Sequence, residues 1–167
     1  MRVVSSRVVY ENRWMRLHED RGEGDRLYAW AEKSPSALIV PIQDDTVWLI
    51  EQYRHPVKRR VREFPQGAWE GVDGDPETLA RGELAEETGL RAGVMEHLGQ
   101  LHFAYGLTDQ SVDIFRASDL TPGEQALEPT EQDLTVLTFS VAEVDRMVGE
   151  NEIRDAASVA AWHLATR

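Results

Sequence analysis

A single helix, delimited at both ends by its own sequence, constrains this chain more than any other segment. Asp75 is a favourable N-cap residue, and Pro76 suits the first helical position. Gly89 accepts the left-handed conformation that commonly ends a helix. Together these residues predict a helix over residues 76–88.

Three glutamates, Glu83, Glu86 and Glu87, lie in the last turns of this helix. Glu83 and Glu87 are four residues apart and share one face, and Glu86 flanks the same patch. Like charges at this spacing destabilise a helix by about 0.2–0.5 kcal/mol per pair, a cost that a bound cation would offset. Hard divalent ions such as Mg²⁺ take carboxylate oxygens and hold phosphates on their free positions. The cluster therefore indicates phosphate chemistry, the alternative being a solvated acidic face.

Composition narrows the class of ligand. The chain has 167 residues, a formal charge of −12 and no cysteine, which fits one domain without disulfides or a thiol nucleophile. The negative charge argues against nucleic-acid binding, so an anionic ligand would be met by a local group of arginines or by metal ions. The N-terminal segment lacks the apolar core of a signal peptide, and no apolar run approaches membrane-spanning length, so we expect a cytoplasmic protein.

The rest of the sequence predicts short strands around the helix. Strands are expected at 2–10 and 26–32 around a turn at 22–25, then at 37–42, 46–53, 98–104, 111–117 and 134–139, with a polar, basic segment at 54–65. A helix is expected at 140–148, and Asp155 can cap a final helix through Leu164. We predict an α/β fold: an α/β/α sandwich with a mixed sheet in residues 34–167, preceded by a small antiparallel β unit in residues 1–33.

The segment Glu83–Leu90, ELAEETGL, resembles the second half of the Nudix box, G-x5-E-x7-R-E-U-x-E-E-x-G-U, in which U is a bulky aliphatic residue. The first half departs from the pattern. Gly82 stands where the box has arginine, Gly67 lies one residue too far upstream, and the first glutamate of the box falls on Gly74 or Asp73. That arginine and glutamate help to orient the metal-binding carboxylates, so the resemblance implies intact ligands with weakened support.

The resemblance to the Nudix family implies a Nudix-type fold and a role for each glutamate. Glu83 and Glu87 would be direct Mg²⁺ ligands, with Mn²⁺ as a substitute. Glu86 would be a further ligand or the catalytic group that positions water, and the carbonyl oxygen of Gln66 would also bind metal. In such sites clustered divalent ions neutralise a pyrophosphate and lower the pKa of the attacking water.

Four further motifs resemble the ADP-ribose and nucleotide-sugar pyrophosphatase branch of that family: ENRW at 11–14, QYR at 52–54, EFPQG at 63–67 and EIRD at 152–155. In that branch the N-terminal strands exchange across a homodimer and contribute to the nucleoside pocket of the partner. A homodimer is therefore implied here. Trp14, Tyr28 or Trp30 would stack on a base, or each would simply fill the strand core or the dimer interface.

Arg54 is the strongest candidate for binding phosphate. Arginine binds phosphate bidentately, and this residue follows an apolar strand just before the predicted catalytic loop. Arg59, Arg60 and Arg62 either assist it or lie in solvent. In relatives, the glutamate that matches Glu63 contacts the ligand or an arginine of the site.

Relatives often place a further carboxylate on the loop before the last strand, as general base or extra metal ligand. Glu131 is favoured for this role, then Glu128, with Asp133 on the same loop. Tyr105 stands where ADP-ribose enzymes of the family commonly carry a proline, and a tyrosine nearby resembles the dinucleoside polyphosphate hydrolases. Tyr105 is therefore a candidate substrate contact.

The resemblance implies a Mg²⁺-dependent hydrolase that cleaves the pyrophosphate of a nucleoside diphosphate linked to a small molecule, with ADP-ribose or another nucleotide sugar as the first choice. Two alternatives stay open. One is a dinucleoside polyphosphate hydrolase. The other is a non-catalytic nucleotide sensor, which the glycine at position 82 makes plausible.

Overall fold

The N-terminal part of the chain forms a small antiparallel sheet. The computed structural model describes residues 2–24, 26–69, 74–127, 129 and 132–167. The small sheet contains β1 (Val3–Asn12), β2 (Met15–Gly22) and β3 (Leu27–Glu32), in that order.

The sequence predicted two strands in this unit, and the structure has three. Asn12 makes the additional turn: its side-chain oxygen accepts hydrogen bonds from the backbone N–H groups of Trp14 and Met15. Strand β2 was not predicted because it is rich in charged residues. Its charges are met across the sheet by pairs such as Arg7 with Glu19.

A mixed sheet of seven strands follows. Its strands are β4 (Ser36–Gln43), β5 (Thr46–Arg54), β6 (Arg59–Glu63), β7 (Gln66–Ala68), β8 (Leu90–His102), β9 (Ser111–Pro122) and β10 (Thr135–Ser140). Five of them lie in the order β10-β5-β4-β9-β8, while β6 pairs with β5 and β7 pairs with β4. Strands β4 and β9 run parallel, and the other pairs are antiparallel.

Helices cover both faces of this sheet: α1 (Pro76–Thr88), α2 (Val141–Gly149) and α3 (Ala156–Ala165). The buried strand β4 contributes side chains to the hydrophobic core on each face of the sheet, because successive side chains of a strand point to opposite faces. Leu38 and Val40 pack in the core under α2 and α3, whereas Ala37 and Ile39 pack under α1. The predicted α/β/α sandwich with a mixed sheet is confirmed. Among the described residues, no helix is long and apolar enough to cross a membrane.

The large sheet divides beside the hairpin of β4 and β5. These two strands pair only at Ile42 with Val47 and Gln43 with Thr46 within the described part of the chain. Away from that point, β4 pairs with β7 and β5 pairs with β6 instead of with each other. A space therefore opens between the far ends of the two strands.

Several strand predictions were too short or missing. The segment expected to be merely polar contains a short 3₁₀ turn (His55–Val57) and then β6. Strand β6 is polar because Arg60 and Arg62 pair across the sheet with Glu51. Strand β8 begins eight residues earlier than expected, directly after the helix stop at Gly89.

Candidate active site

Helix α1 places its three glutamates in three different environments. The helix begins as predicted, with the Asp75 carboxylate accepting from the Thr78 N–H at 3.0 Å, and it ends at Gly89, whose φ is 72°. Glu87 is 1% exposed, Glu83 is half-buried and Glu86 is exposed. One carboxylate therefore lies inside the protein, one at its boundary and one in solvent.

Strand β7 lies against the two less exposed carboxylates. The backbone N–H of Gln66 donates to Oε2 of Glu87 at 2.8 Å. A Cβ atom on Gly67 would overlap the carboxyl group of Glu83, so only glycine leaves room for that side chain. The result is a cradle in which the Glu83 and Glu87 carboxylates lie against the backbone of Gln66 and Gly67. Carboxylate oxygens are donors that hard divalent cations prefer. These residues fit a Mg²⁺ site.

The side chains of the described residues do not by themselves form a full set of metal ligands. No three His, Asp or Glu side chains within the described ranges are grouped as a metal-binding set. Glu128, Glu131 and Asp73 lie outside the described residues, so the role assigned to Glu131 stays a prediction. Asp133 is described, and its carboxylate accepts from the Tyr53 N–H and the Arg60 guanidinium. This side chain anchors the loop to the sheet.

Arg54 and Glu63 form a pair beside Gln66 of the cradle. Oε1 of Glu63 accepts from Nε and Nη2 of Arg54 at 2.8 and 2.6 Å, and from the Gln52 amide at 3.0 Å. Glu63 is 3% exposed. Burial raises the pKa of the Glu63 carboxyl above its ordinary value, and the Arg54 charge opposes that shift. Of the two roles expected for Glu63, the structure shows contact with an arginine.

A cleft of about 570 Å³ opens where β4 and β5 diverge. It is bordered by Gln66 and Gly67 of the cradle, by Phe103, and by four basic residues: Lys33, Arg54, Arg59 and Arg154. Two acidic residues, Glu63 and Asp155, also line the cleft, so its basic residues outnumber the acidic ones by two. In a chain of charge −12, this is a local excess of positive charge suited to an anion. Of the arginine run on β6, Arg59 lines the cleft, while Arg60 and Arg62 are engaged with Glu51.

Trp30 and Tyr105 meet in a second hollow of about 400 Å³, which Tyr28 and Leu107 also line. The Trp30 ring stacks on His18 with centroids 4.3 Å apart, and its indole N–H donates to Asp20. Trp14 lies elsewhere, more than half exposed, with the Arg13 guanidinium over its ring. Of the four aromatic residues named from sequence, the fold therefore brings together Tyr28, Trp30 and Tyr105, and it places Trp14 elsewhere.

Sequence reasoning missed several residues that border the cleft, among them Lys33, Phe103 and Arg154. Arg154 had a sequence signal, because it belongs to the EIRD motif. Lys33 and Phe103 lie in none of the motifs quoted above. Position 82 is also informative: a Cβ on Gly82 would meet one atom within 4 Å, an oxygen of Glu86. This glycine is not required by close packing.

Two protein-family profiles match this chain. The NUDIX domain profile matches residues 32–163, and the profile described as nucleoside diphosphate sugar hydrolase N-terminal domain matches residues 1–21. An ADP-ribose pyrophosphatase of Mycobacterium tuberculosis is 29% identical over 163 residues, covering 94% of this chain and 79% of that protein.

Two further similarities extend along most of the chain. A protein of Bacillus methanolicus named methanol dehydrogenase activator is 24% identical over 96% of this chain and 89% of its own length. An ADP-ribose pyrophosphatase of Bacillus subtilis is 29% identical over 74% of this chain and 68% of its own length. A crystal structure of an ADP compounds hydrolase shares the fold, with a TM-score of 0.78 at 22% identity, covering 97% of this chain and 90% of that one.

Proposed function

This chain belongs to the Nudix family of hydrolases, and we propose that it cleaves the pyrophosphate of a nucleoside diphosphate joined to another small molecule. ADP-ribose or a related nucleotide sugar is the proposed substrate, because two relatives carry the name ADP-ribose pyrophosphatase. Mg²⁺ is the proposed metal, with Mn²⁺ as a substitute.

The observation that carries this proposal is the double role of Gln66. Its backbone N–H holds the buried Glu87 of the metal cradle, and its side chain borders the cleft that Arg54 lines. A pyrophosphate in the cleft would therefore meet an arginine and the carboxylate cluster at the same time. This is the arrangement that phosphoryl transfer requires, since it depends on positioning and charge stabilisation.

Each residue of the site then has a defined task. Glu83, Glu87 and the Gln66 carbonyl would hold the divalent ion, which when bound neutralises phosphate charge and supplies a water of lowered pKa. Arg54 binds phosphate oxygens through its planar guanidinium, and Glu63 keeps that group aimed at the cleft. Glu86 is exposed and can orient the attacking water, a task that Glu131 would share as the general base.

The N-terminal unit, residues 1–33, is the proposed source of the nucleoside contacts. Trp30 and Tyr105 line one hollow, so a base could lie between a side chain of β3 and one of the loop before β9. The hydroxyl of Tyr28 donates to the Gly106 carbonyl at 2.7 Å and fixes that loop against β3. Aromatic rings offer a rigid surface for stacking a base.

We expect a homodimer in solution. Strand β1 is an edge strand that exposes four valines, Val3, Val4, Val8 and Val9. Exposed apolar edge strands promote association, and a second copy would cover this one. Light scattering should therefore give a mass about twice that of the 18.9 kDa chain. A mass of one chain at micromolar concentration would contradict the shared-pocket arrangement.

The substrate proposal is tested by incubating the protein and Mg²⁺ with two groups of compounds. One group contains ADP-ribose and other nucleotide sugars, and the other contains dinucleoside polyphosphates. We expect AMP and a sugar phosphate from ADP-ribose, measured by chromatography. Release of ATP from the dinucleoside group, without cleavage of ADP-ribose, would establish the alternative hydrolase. If neither group is cleaved and ADP-ribose binds equally to wild type and Glu87→Gln, the protein is a sensor.

A further inference from the structure

The first turn of helix α3 is bonded directly to the loop that carries the site. Ser158 is completely buried, and its hydroxyl oxygen accepts from the Phe64 backbone N–H at 2.9 Å. Phe64 lies between Glu63 and Gln66 in sequence, and its ring stacks on Trp162 of the same helix with centroids 6.0 Å apart. A residue 94 positions away in sequence thus satisfies the backbone of the loop.

Asp155 extends this connection to both ends of the loop. One of its carboxylate oxygens, Oδ2, accepts from the Ser158 hydroxyl at 2.7 Å. Because the hydroxyl hydrogen points to Asp155, the lone pairs of the Ser158 oxygen are left for the Phe64 N–H. The same Oδ2 lies 3.4 Å from the side-chain amide nitrogen of Gln66, which also donates to Glu63 at 3.2 Å. The Gln66 side chain therefore bridges the carboxylate that holds Arg54 and the carboxylate that caps α3.

Helix capping alone does not account for these contacts. Asp75 caps α1 in the same way, accepting from the N–H and the hydroxyl of Thr78 at 3.0 and 2.8 Å. Asp155 repeats that cap with Ser158 at 2.8 and 2.7 Å. The cap of α3 adds what a cap does not need: bonds to Phe64 and Gln66, the second of which also bonds Glu87.

We propose that Asp155 and Ser158 are positioning residues that hold the Glu63–Gly67 loop, and through it both Arg54 and the Gln66 backbone, in the geometry for hydrolysis. The claim that this geometry serves hydrolysis rests on the proposed function. The claim that α3 holds the loop in place does not. If Ser158 loses its hydroxyl, Phe64 keeps a buried N–H without an acceptor, so the loop must shift to find one. That shift would move Gln66 away from Glu87.

Two variants test the connection. Ser158→Ala removes the acceptor of Phe64, and Asp155→Ser keeps an N-cap residue while being too short to reach Gln66. Ser140→Ala is the matched control: it removes the cap of α2, and neither Ser140 nor any residue of α2 lines the cleft. All three lose a capping or hydroxyl hydrogen bond, so a general loss of stability would affect them alike.

The first measurement is hydrogen–deuterium exchange in metal-free protein without substrate. We expect the Gln66 amide, which bonds Glu87 and not α3, to exchange about tenfold faster in Ser158→Ala and Asp155→Ser, as loss of one hydrogen bond implies. It should stay at the wild-type rate in Ser140→Ala. Equal protection of Gln66 in all four proteins would overturn the proposal.

The second measurement is the Mg²⁺ concentration that gives half-maximal velocity on the pyrophosphate cleaved by wild type. We expect about a tenfold increase in the two α3 variants, the scale on which groups behind metal ligands act, and no change in Ser140→Ala. An increase in the control as large as in the variants would overturn the positioning role. If wild type cleaves no pyrophosphate, the proposed function fails, and the exchange result decides the structural connection separately.

Discussion

Glu87→Gln is expected to lower kcat on the cleaved pyrophosphate by about 10³-fold, corresponding to about 4 kcal/mol of lost transition-state stabilisation. The carboxylate is 1% exposed and accepts from Gln66. A glutamine can accept the same hydrogen bond through its amide oxygen, yet it lacks the charge that holds a divalent ion. The fold should survive, and the melting temperature should be unchanged or higher because one like-charge pair on α1 disappears. Steady-state kinetics and circular dichroism measure the two effects.

Glu77→Gln is the matched control for this experiment. Glu77 lies on the same helix, but in its first turn, and its carboxylate pairs with Arg81 near the surface. The substitution removes one negative charge from α1 without touching the cradle, so kcat should stay within about twofold of wild type. Wild-type turnover in Glu87→Gln would exclude the assigned metal site.

Gly67→Ala is expected to reduce kcat/KM on the order of 10²-fold, the effect of displacing a reacting group by about 1 Å. The added Cβ would overlap the Glu83 carboxyl group, which must rotate out of the cradle. Because the obstacle is the end of a flexible side chain rather than backbone, the fold can absorb the change. We therefore expect a loss of activity with little change in thermal unfolding.

Gly149→Ala provides the comparison for Gly67→Ala. A Cβ at Gly149 meets no atom within 4 Å, and the residue ends α2 and does not line the cleft. Its kinetics should match those of wild type. If Gly67→Ala retains full activity as well, Glu83 does not need its present position, and its assignment as a metal ligand is wrong.

The parts of the fold that could be predicted are those encoded by neighbouring residues. Helix α1 was predicted to the residue because Asp75, Pro76 and Gly89 act within their own turns. Strand β2 was missed because its charged residues become compatible with a sheet only when the neighbouring strands β1 and β3 supply their counter-ions, and local propensity does not register that pairing. The early start of β8 was missed for a similar reason: its stability comes from eleven register pairs with β9 rather than from its own residues.

The candidate site shows the same division between local and distant information. The three glutamates of α1 could be found from spacing within one helix. The bond between Ser158 and Phe64 could not, because it joins residues 94 positions apart and a serine in a helix carries no signal of its own. Asp155 was recognised as a cap and as the last residue of the EIRD motif, but its contact with Gln66 was not predicted because it joins residues 89 positions apart.

The placement of β4 has a consequence for how the main domain unfolds. Its alternating side chains supply both hydrophobic cores, and it pairs with β5, β7 and β9. If either helical layer detached, it would expose apolar side chains of β4, the strand against which the other layer also packs. The two layers should therefore melt as one cooperative unit, while partial opening is confined to elements that do not rest on β4, such as β1.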